Sequence, residues 1–156
     1  GYWDEMQEIF DWARTHVTST LYICWAAQAG LYHFYGIPKH PLAKKVFGIF
    51  PTVPLEPELS IFRGFDDVFR MPQSRHTEVR REDINEVGDL EIIAESEESG
   101  VSMVMSRGGR EFFIRVIWNM HQTHWIKSID AILGNVMMLS CQGITILRTT
   151  QIRDHV

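Results

Sequence analysis

A cysteine between a short apolar run and a stretch of small residues constrains the fold more than any other feature of the sequence. Residues 19–23 predict a buried strand that ends at Cys24, and residues 25–31 include three alanines and a glycine. This order is typical of a nucleophile elbow, a sharp strand-to-helix turn that exposes a reactive side chain. A helix N-terminus is also expected to lower the pKa of the thiol. The pattern predicts a nucleophile at Cys24, and it leaves open a structural cysteine buried at the end of a core strand.

Helices are predicted on both sides of this strand. Apolar residues recur at three- and four-residue spacing over residues 3–17, with acids in the first turns, which predicts a helix packed on the core. A second helix is predicted over residues 25–35, and Gly36 and Pro38 supply its stop signal. Helix, strand and helix in quick succession indicate a parallel α/β sheet.

The middle of the chain carries weaker patterns. Residues 44–50 predict a short strand, and the prolines of residues 51–57 predict an extended connection without regular structure. Residues 60–80 have no clean period, so we interpret them either as a loop that lines a site or as a solvated surface loop. Residues 80–83 open a short helix. Three strands separated by Gly-containing turns are predicted after it, over residues 90–94, 101–106 and 111–114.

The composition narrows the class of protein. The chain has 156 residues, 45% of them hydrophobic, and a formal net charge of −5, as expected of one soluble globular domain. The acidic balance argues against a nucleic-acid partner, and no apolar run is long enough to cross a membrane. Cys24 and Cys141 form neither a disulfide framework nor a zinc spacing, so we predict a cytoplasmic protein without a metal site. Because the sequence begins without an initiator Met, we expect a piece of a longer chain.

The composition changes after Ile114. All six Pro and every Glu lie in residues 1–114, whereas residues 115–156 contain only two acids, Asp130 and Asp154. Two interpretations are open: an apolar tail that docks on the sheet, or a segment read in a different frame from the rest of the gene.

Several blocks of residues 1–114 resemble one enzyme family. Residues 18–31 read Thr-Ser-Thr-Leu-Tyr-Ile-Cys-Trp-Ala-Ala-Gln-Ala-Gly-Leu, and further blocks lie at residues 35–39, 63–67, 74–78 and 90–95. Together they resemble the homoserine O-acyltransferases of methionine biosynthesis, the homoserine O-succinyltransferase family. The resemblance implies an α/β, flavodoxin-like fold similar to class I glutamine amidotransferases, in which helices flank a parallel sheet. It also implies that the sheet is incomplete at the N-terminus of this chain.

The resemblance assigns roles to four residues. Cys24 matches the nucleophile that carries the acyl group as a thioester, and Lys45 and Ser74 match positions that contact substrate. The backbone N–H of Trp25 is expected to help form the oxyanion hole. The implied substrates are homoserine and succinyl-CoA or acetyl-CoA as co-substrate, with no further cofactor, and a homodimer is possible within the family.

The family's remaining catalytic residues are missing from the sequence. The resemblance places a Gly-His-x-Glu-Tyr motif, with the His as base, just after the strand at residues 111–114, where this chain reads Arg-Val-Ile-Trp-Asn-Met. Regrouping the possible codons by one base permits Gly-His-Leu-Glu-Tyr at this place, with the Glu forced by the Trp118–Asn119 junction. We therefore hypothesise that residues 1–114 belong to the catalytic domain and that residues 115–156 are an out-of-frame translation, which the coding DNA would test.

Loss of the motif predicts that the chain as written has little activity, because a triad without its base is slowed by factors of thousands. The in-frame histidines that could substitute for the base, His33, His40 and His76, are interpreted as structural or surface residues. Two other function classes remain: a glutamine amidotransferase-type thiol hydrolase, which shares the elbow, and a non-catalytic fragment.

Overall fold

The computed structural model describes residues 1–116 and the backbone of residues 144–148. Three α-helices lie within these residues: α1 (Tyr2–His16), α2 (Trp25–Tyr35) and the short α3 (Arg81–Asn85); residues Ser60–Phe62 form one turn of 3-10 helix. The described strands are β1 (Ser19–Ile23), β2 (His40–Pro54), β3 (Phe69–Glu78), β4 (Leu90–Ser96), β5 (Gly100–Ser106), β6 (Glu111–Ile114) and β7 (Ile144–Arg148). They form one sheet in the order β3-β2-β4-β5-β6-β1-β7.

The sheet is mixed rather than wholly parallel. β1 pairs in parallel with β6 on one side and with β7 on the other. The pairs β2–β3, β2–β4, β4–β5 and β5–β6 are antiparallel. Short turns at residues 97–99 and 107–110 join β4 to β5 and β5 to β6, as antiparallel pairing allows. All five residues of β1 are buried, as expected of a strand covered on both faces and both edges.

Apolar cores cover both faces of the sheet. On one face α1 packs on β1 through Phe10 and Tyr22, whose rings meet edge to face at 5.3 Å between centroids, and α2 adds Ala26, Ala27 and Leu31 to the same core. On the other face residues 61–71 cover the strands, with Ile61 and Met71 almost fully buried. Strand β1 therefore lies between two packed layers. This packing fixes the position of Cys24, the residue that follows the strand.

The α/β class with helices flanking the sheet is confirmed. β1, α2 and β6 have the predicted bounds, and α1 begins and ends one residue earlier than predicted. Two predictions in the middle of the chain are wrong. β2 runs from residue 40 to residue 54 and includes Pro51 and Pro54, and residues 69–78 of the predicted loop form β3. The β2–β3 ribbon lies at an edge of the sheet, where a proline without an N–H group is tolerated.

Candidate functional site

Cys24 occupies a sharp turn between β1 and α2. Its backbone N–H donates to the carbonyl of Ile114 at 2.9 Å, so it still belongs to the sheet, yet it is also the N-cap of α2. Its φ of 61° and ψ of −119° make it the one non-glycine residue with positive φ in the part of the chain that the structure describes. Such strain in an L-residue is held by surrounding packing and clusters at functional sites. The strand–turn–helix geometry of a nucleophile elbow is present.

The strain gives a stability prediction that is independent of the thiol. Cys24→Gly and Cys24→Ala both remove the sulfur, but only glycine adopts this φ without a Cβ penalty. We expect the free energy of unfolding of Cys24→Gly to exceed that of Cys24→Ala by about 1–3 kcal/mol. Cys24→Gly should therefore also unfold at the higher temperature. Thermal or denaturant unfolding of the two variants measures the difference. Equal stability of the two would show that the turn is unstrained.

The sheet brings the end of β6 next to Cys24. β1 and β6 are parallel and in register, with Ile23 opposite Ile114, so the residues after both strands meet at the same edge. A cavity of about 180 Å³ opens there. Its lining residues come from the elbow, from β3 and from the end of β6: Cys24, Trp25, Gln28, Gln73, Ser74, Arg75, His76, Thr77, Arg115 and Val116. The nucleophile candidate thus faces a cleft instead of lying deep among packed side chains.

The structure brings together three of the four residues predicted for the site. Trp25 and Ser74 line the same cavity as Cys24, and the Trp25 backbone N–H lies near enough to the Cys24 sulfur to favour its thiolate form. Lys45 does not line this cavity. It lies exposed on β2, at the irregularity that precedes Val46, and its ammonium stands 5.3 Å from the centre of the Phe47 ring.

The predicted lowering of the Cys24 pKa is wrong for the described residues. Burial raises the pKa of the thiol above its ordinary value of 9.0, because the thiolate loses hydration. The Trp25 N–H and the nearby Arg115 guanidinium act in the opposite direction, but their combined effect is smaller. The Cys24 side chain is therefore a neutral thiol at pH 7.

Sequence reasoning assigned no role to two arginines of the site, although Arg75 lies in the segment that was interpreted as a possible site-lining loop. Arg75 on β3 donates to Gln73 Oε1 at 2.8 Å, to the Thr77 carbonyl at 3.1 Å and to the Ser99 carbonyl. Arg115, assigned from the sequence to the aberrant segment, is only 4% exposed and donates to the same Thr77 carbonyl at 3.0 Å. One of the two interpretations of residues 60–80 was a loop that lines a site. Residues 73–77, which belong to β3, do line the cavity of Cys24.

The three histidines considered as substitutes for the base, His33, His40 and His76, have different surroundings. His33 contacts Gln7 at 3.1 Å and Asp11 at 2.7 Å on the helical face, and His40 pairs with Asp83 at 2.7 Å. Both have the structural role that was predicted. His76 is exposed, as predicted, but it also lines the cavity of Cys24.

A second, larger cavity lies at the opposite end of β1. It has a volume of about 240 Å³ and is lined by residues around Thr20, Arg14 and Glu111. Glu111 Oε2 accepts from Arg14 at 3.1 Å and from the Tyr35 hydroxyl at 2.8 Å. The lining residues that the structure describes include no cysteine or histidine, and the cavity lies at the end of β1 away from Cys24, so it is distinct from the site at Cys24.

The described residues carry neither a candidate metal site nor a candidate membrane span. Within residues 1–116, no three His, Cys, Asp or Glu side chains are grouped so that they could hold a metal ion. None of the helices in that range has the length and apolar character needed to span a membrane.

Solved structures with a similar fold belong to amidotransferase-type proteins. A Thermoplasma acidophilum protein described as a GMP synthase subunit superimposes with a TM-score of 0.67 and 18% identity, covering 87% of this chain and 66% of its own. A glutamine amidotransferase of Thermotoga maritima gives a TM-score of 0.54 and 14% identity, covering 87% of this chain and 55% of its own. Identities this low show the fold alone, and they confirm the expected likeness to glutamine amidotransferases.

Sequence comparisons are more specific. The homoserine O-acetyltransferase of Bacteroides thetaiotaomicron is 70% identical over 113 residues, which are 72% of this chain and 37% of that enzyme. The homoserine O-acetyltransferase of Desulfitobacterium hafniense is 57% identical over 113 residues, with the same two shares. The chain thus spans a little over a third of the length of these curated relatives. The sequence model of the family described as homoserine O-succinyltransferase matches residues 1–124. The chain belongs to the homoserine O-succinyltransferase family.

Proposed function

We propose that this chain carries the acyl-accepting thiol of a cytoplasmic homoserine O-acyltransferase of methionine biosynthesis. The observation that carries the proposal is the strained elbow at Cys24, which exposes its thiol to a cavity in a chain of this family. A structural cysteine at the end of a core strand needs neither the positive φ nor the cleft.

The proposed reaction has two steps. Cys24 loses its proton to solvent, and its thiolate attacks the carbonyl carbon of the acyl-CoA thioester. The bond from this carbon to the CoA sulfur breaks, the CoA sulfur takes up a proton from solvent, and the acyl group stays on Cys24 as a new thioester. The hydroxyl of homoserine then attacks this thioester, gives up its proton and receives the acyl group, which frees the thiol. The Trp25 N–H lies at the Cys24 sulfur, where it would donate to the oxyanion of each tetrahedral intermediate.

Homoserine is the second substrate in this proposal. Ser74 lines the cavity and would donate or accept a hydrogen bond at the amino-acid end of homoserine. Lys45 would reach its proposed substrate contact only by leaving the face of the Phe47 ring. The family is named for succinyl transfer, and the two relatives are named for acetyl transfer. The test therefore uses both succinyl-CoA and acetyl-CoA.

Residues after β6 limit the rate of this chain. Val116 and Arg115 line the cavity where the family motif would supply a histidine base, and the Cys24 pKa is raised. We therefore propose that acylation is slow at pH 7 and faster near pH 9, and that steady turnover is low. The hypothesis that residues 115–156 are out of frame stays a prediction, as does a homodimer.

The test is formation of a thioester on Cys24. The full chain is incubated with acetyl-CoA or succinyl-CoA near pH 9, and peptide-resolved mass spectrometry locates the acyl group. Cys24→Ala serves as the control for acylation at other residues. We expect a Cys24 adduct that is discharged by homoserine. Absence of an adduct, in a chain whose Cys24 is labelled by iodoacetamide, would contradict the proposal, and an adduct with glutamine instead would favour the amidotransferase-type hydrolase.

A further inference from the structure

A buried carboxylate at the second cavity has one oxygen without a partner. Glu111 begins β6, is only 5% exposed, and lines the cavity of about 240 Å³ at the end of β1 away from Cys24. Its Oε2 accepts from Arg14 at 3.1 Å and from the Tyr35 hydroxyl at 2.8 Å. Its Oε1 is buried and has no hydrogen-bond partner among the described residues. A buried acceptor without a donor is costly, and a ligand that brings a donor relieves that cost.

The two groups that hold Glu111 are both fixed at Oε2. Burial and the neighbouring Glu111 carboxylate raise the pKa of Tyr35, so its hydroxyl keeps its proton and remains a donor to Oε2. The Arg14 guanidinium lies over the Phe34 ring, 4.3 Å from the ring centre, and this stacking restricts it to the same place. A ligand of this cavity is therefore expected to donate to Oε1.

Guanidinium groups outnumber carboxylates around the cavity. Three arginines line it against two acids, and Arg14 is the one that pairs with Glu111. Arg110 donates through Nε and Nη2 to backbone carbonyls at the end of α1, and its Nη1 forms no hydrogen bond with the described residues. The Arg107 side chain is exposed and forms neither a hydrogen bond nor an ion pair with them. The second acid, Asp89, is exposed, so solvent screens its charge. This balance favours an anion.

The ligand must therefore combine negatively charged oxygens with an O–H donor. Phosphate does so at pH 7, because its monoanion and its dianion both retain a P–OH group, and its oxygens match guanidinium donors in pairs. Sulfate and simple carboxylates are fully ionised at this pH and offer no donor. A phosphate monoester loses its last P–OH group above its second pKa of about 6. Since a water takes about 30 Å³ in the liquid, the cavity has room for a phosphate ion and several waters.

We propose that this cavity binds inorganic phosphate, with Arg107 and Arg110 donating to its charged oxygens and Glu111 Oε1 accepting a hydrogen bond from its P–OH group. The inference goes beyond the transferase proposal and does not depend on it, because acyl transfer as proposed uses residues at the other end of β1.

Binding of three anions to the full chain tests the proposal. Inorganic phosphate, sulfate and methyl phosphate are titrated by calorimetry at pH 7.5, with chloride keeping the ionic strength constant. We expect phosphate to bind with a dissociation constant of about 1 mM or less, which a few charge-assisted hydrogen bonds are enough to give. Sulfate and methyl phosphate, which lack the O–H donor at this pH, are expected to bind at least about tenfold more weakly.

Glu111→Gln is expected to remove the preference for phosphate over sulfate. Because Arg14 and Tyr35 both donate, the carbonyl oxygen of the glutamine takes the place of Oε2, and its N–H group takes the place of Oε1. An N–H group there donates to sulfate as well as to phosphate, so the ratio of the two dissociation constants should fall to about one. Circular dichroism and thermal unfolding show whether the variant is folded.

Arg107→Gln separates the charge of the site from its selectivity. Loss of this guanidinium is expected to weaken phosphate and sulfate alike, by up to about tenfold, and to leave their ratio unchanged. Arg70→Gln is the matched control, because it removes the same charge from an exposed position of β3, at the far edge of the sheet. We expect this control to bind phosphate as wild type does.

Three results would overturn the proposal. The first is a wild-type dissociation constant for phosphate above about 10 mM, or one within about threefold of that for sulfate. The second is methyl phosphate binding as tightly as phosphate at pH 7.5, since the O–H donor would then not be recognised. Neither requires a variant, so both stay decisive if Glu111→Gln does not fold. The third is an unchanged ratio in a folded Glu111→Gln chain. Because no acyl-CoA is present, each result leaves the transferase proposal to its own test.

Discussion

A chain in which the neighbouring reading frame is restored after Ile114 is expected to discharge its Cys24 thioester to homoserine about 10²–10⁴ times faster than the chain as written. The neighbouring frame permits Gly-His-Leu-Glu-Tyr, and a histidine positioned there as general base contributes a factor of this size. The pH midpoint of Cys24 alkylation is expected to fall from above 9.0 to about 7, because a Cys–His pair stabilises the thiolate.

The position of the new histidine follows from the sheet. β6 is the parallel neighbour of β1, and the chain after β6 already supplies Arg115 and Val116 to the wall of the Cys24 cavity. A histidine in this segment therefore reaches the sulfur without any change in the strands. The alkylation rate at pH 7 rises less than the thiolate fraction does, since a thiolate of lower pKa is also a weaker nucleophile.

The measurement compares three chains under the same conditions: the chain as written, the frame-restored chain, and the frame-restored chain with the histidine codon changed to asparagine. Thioester discharge is followed by mass spectrometry with and without homoserine, and alkylation by iodoacetamide is followed across pH. If the asparagine chain matches the frame-restored chain, the gain does not come from a base at this position. An unchanged midpoint in both would mean that no Cys–His pair forms.

The elements around Cys24 were predictable because their signals are local. The apolar run of β1, the small residues of α2 and its stop at Gly36 define the elbow without information from the rest of the chain. Both bounds of β6 were predicted correctly, because glycines precede it and three of its four residues are apolar. In these segments the intrinsic secondary-structure propensity and the hydrophobic pattern of the sequence agree with the burial that the fold imposes.

The β2–β3 ribbon was not predictable from local patterns. Pro51 and Pro54 indicate a connection without regular structure, and only the pairing with β3 and β4 makes them strand residues. In β3 residues 73–77 are all polar and all line the cavity, so they have no apolar period to detect. Here tertiary pairing overrides propensity.

The electrostatics of the site depend on residues that are distant in sequence. A helix N-terminus lowers a thiol pKa, and from the sequence alone that was the only visible effect at Cys24. Packing of β3 and of the end of β6 over the elbow removes water from the sulfur, and this desolvation is the larger effect. The same packing buries Arg115 beside the sulfur, which no spacing in the sequence indicates.

Gly30→Val is expected to destabilise the protein by about 3 kcal/mol or more, at the upper end of the usual cost of overpacking a core. Gly30 lies on the buried face of α2, where a Cβ atom would stand 2.9 Å from Phe113 Cε1 and 3.3 Å from Tyr22 Cδ1. Neither ring has room to move. They stack on each other at 4.8 Å between centroids, and both are fully buried.

Equilibrium unfolding in urea measures this cost, and Gly88→Ala provides the control because a Cβ atom there meets no atom within 4 Å. We expect the control to stay within about 0.5 kcal/mol of wild type. Gly30→Ala should fall between the two, since its gain of about 1 kcal/mol in helix propensity partly offsets the clash. A Gly30→Val chain as stable as the control would mean that α2 can move away from the sheet. The elbow at its N-terminus would then lack the rigid support that its strained backbone requires.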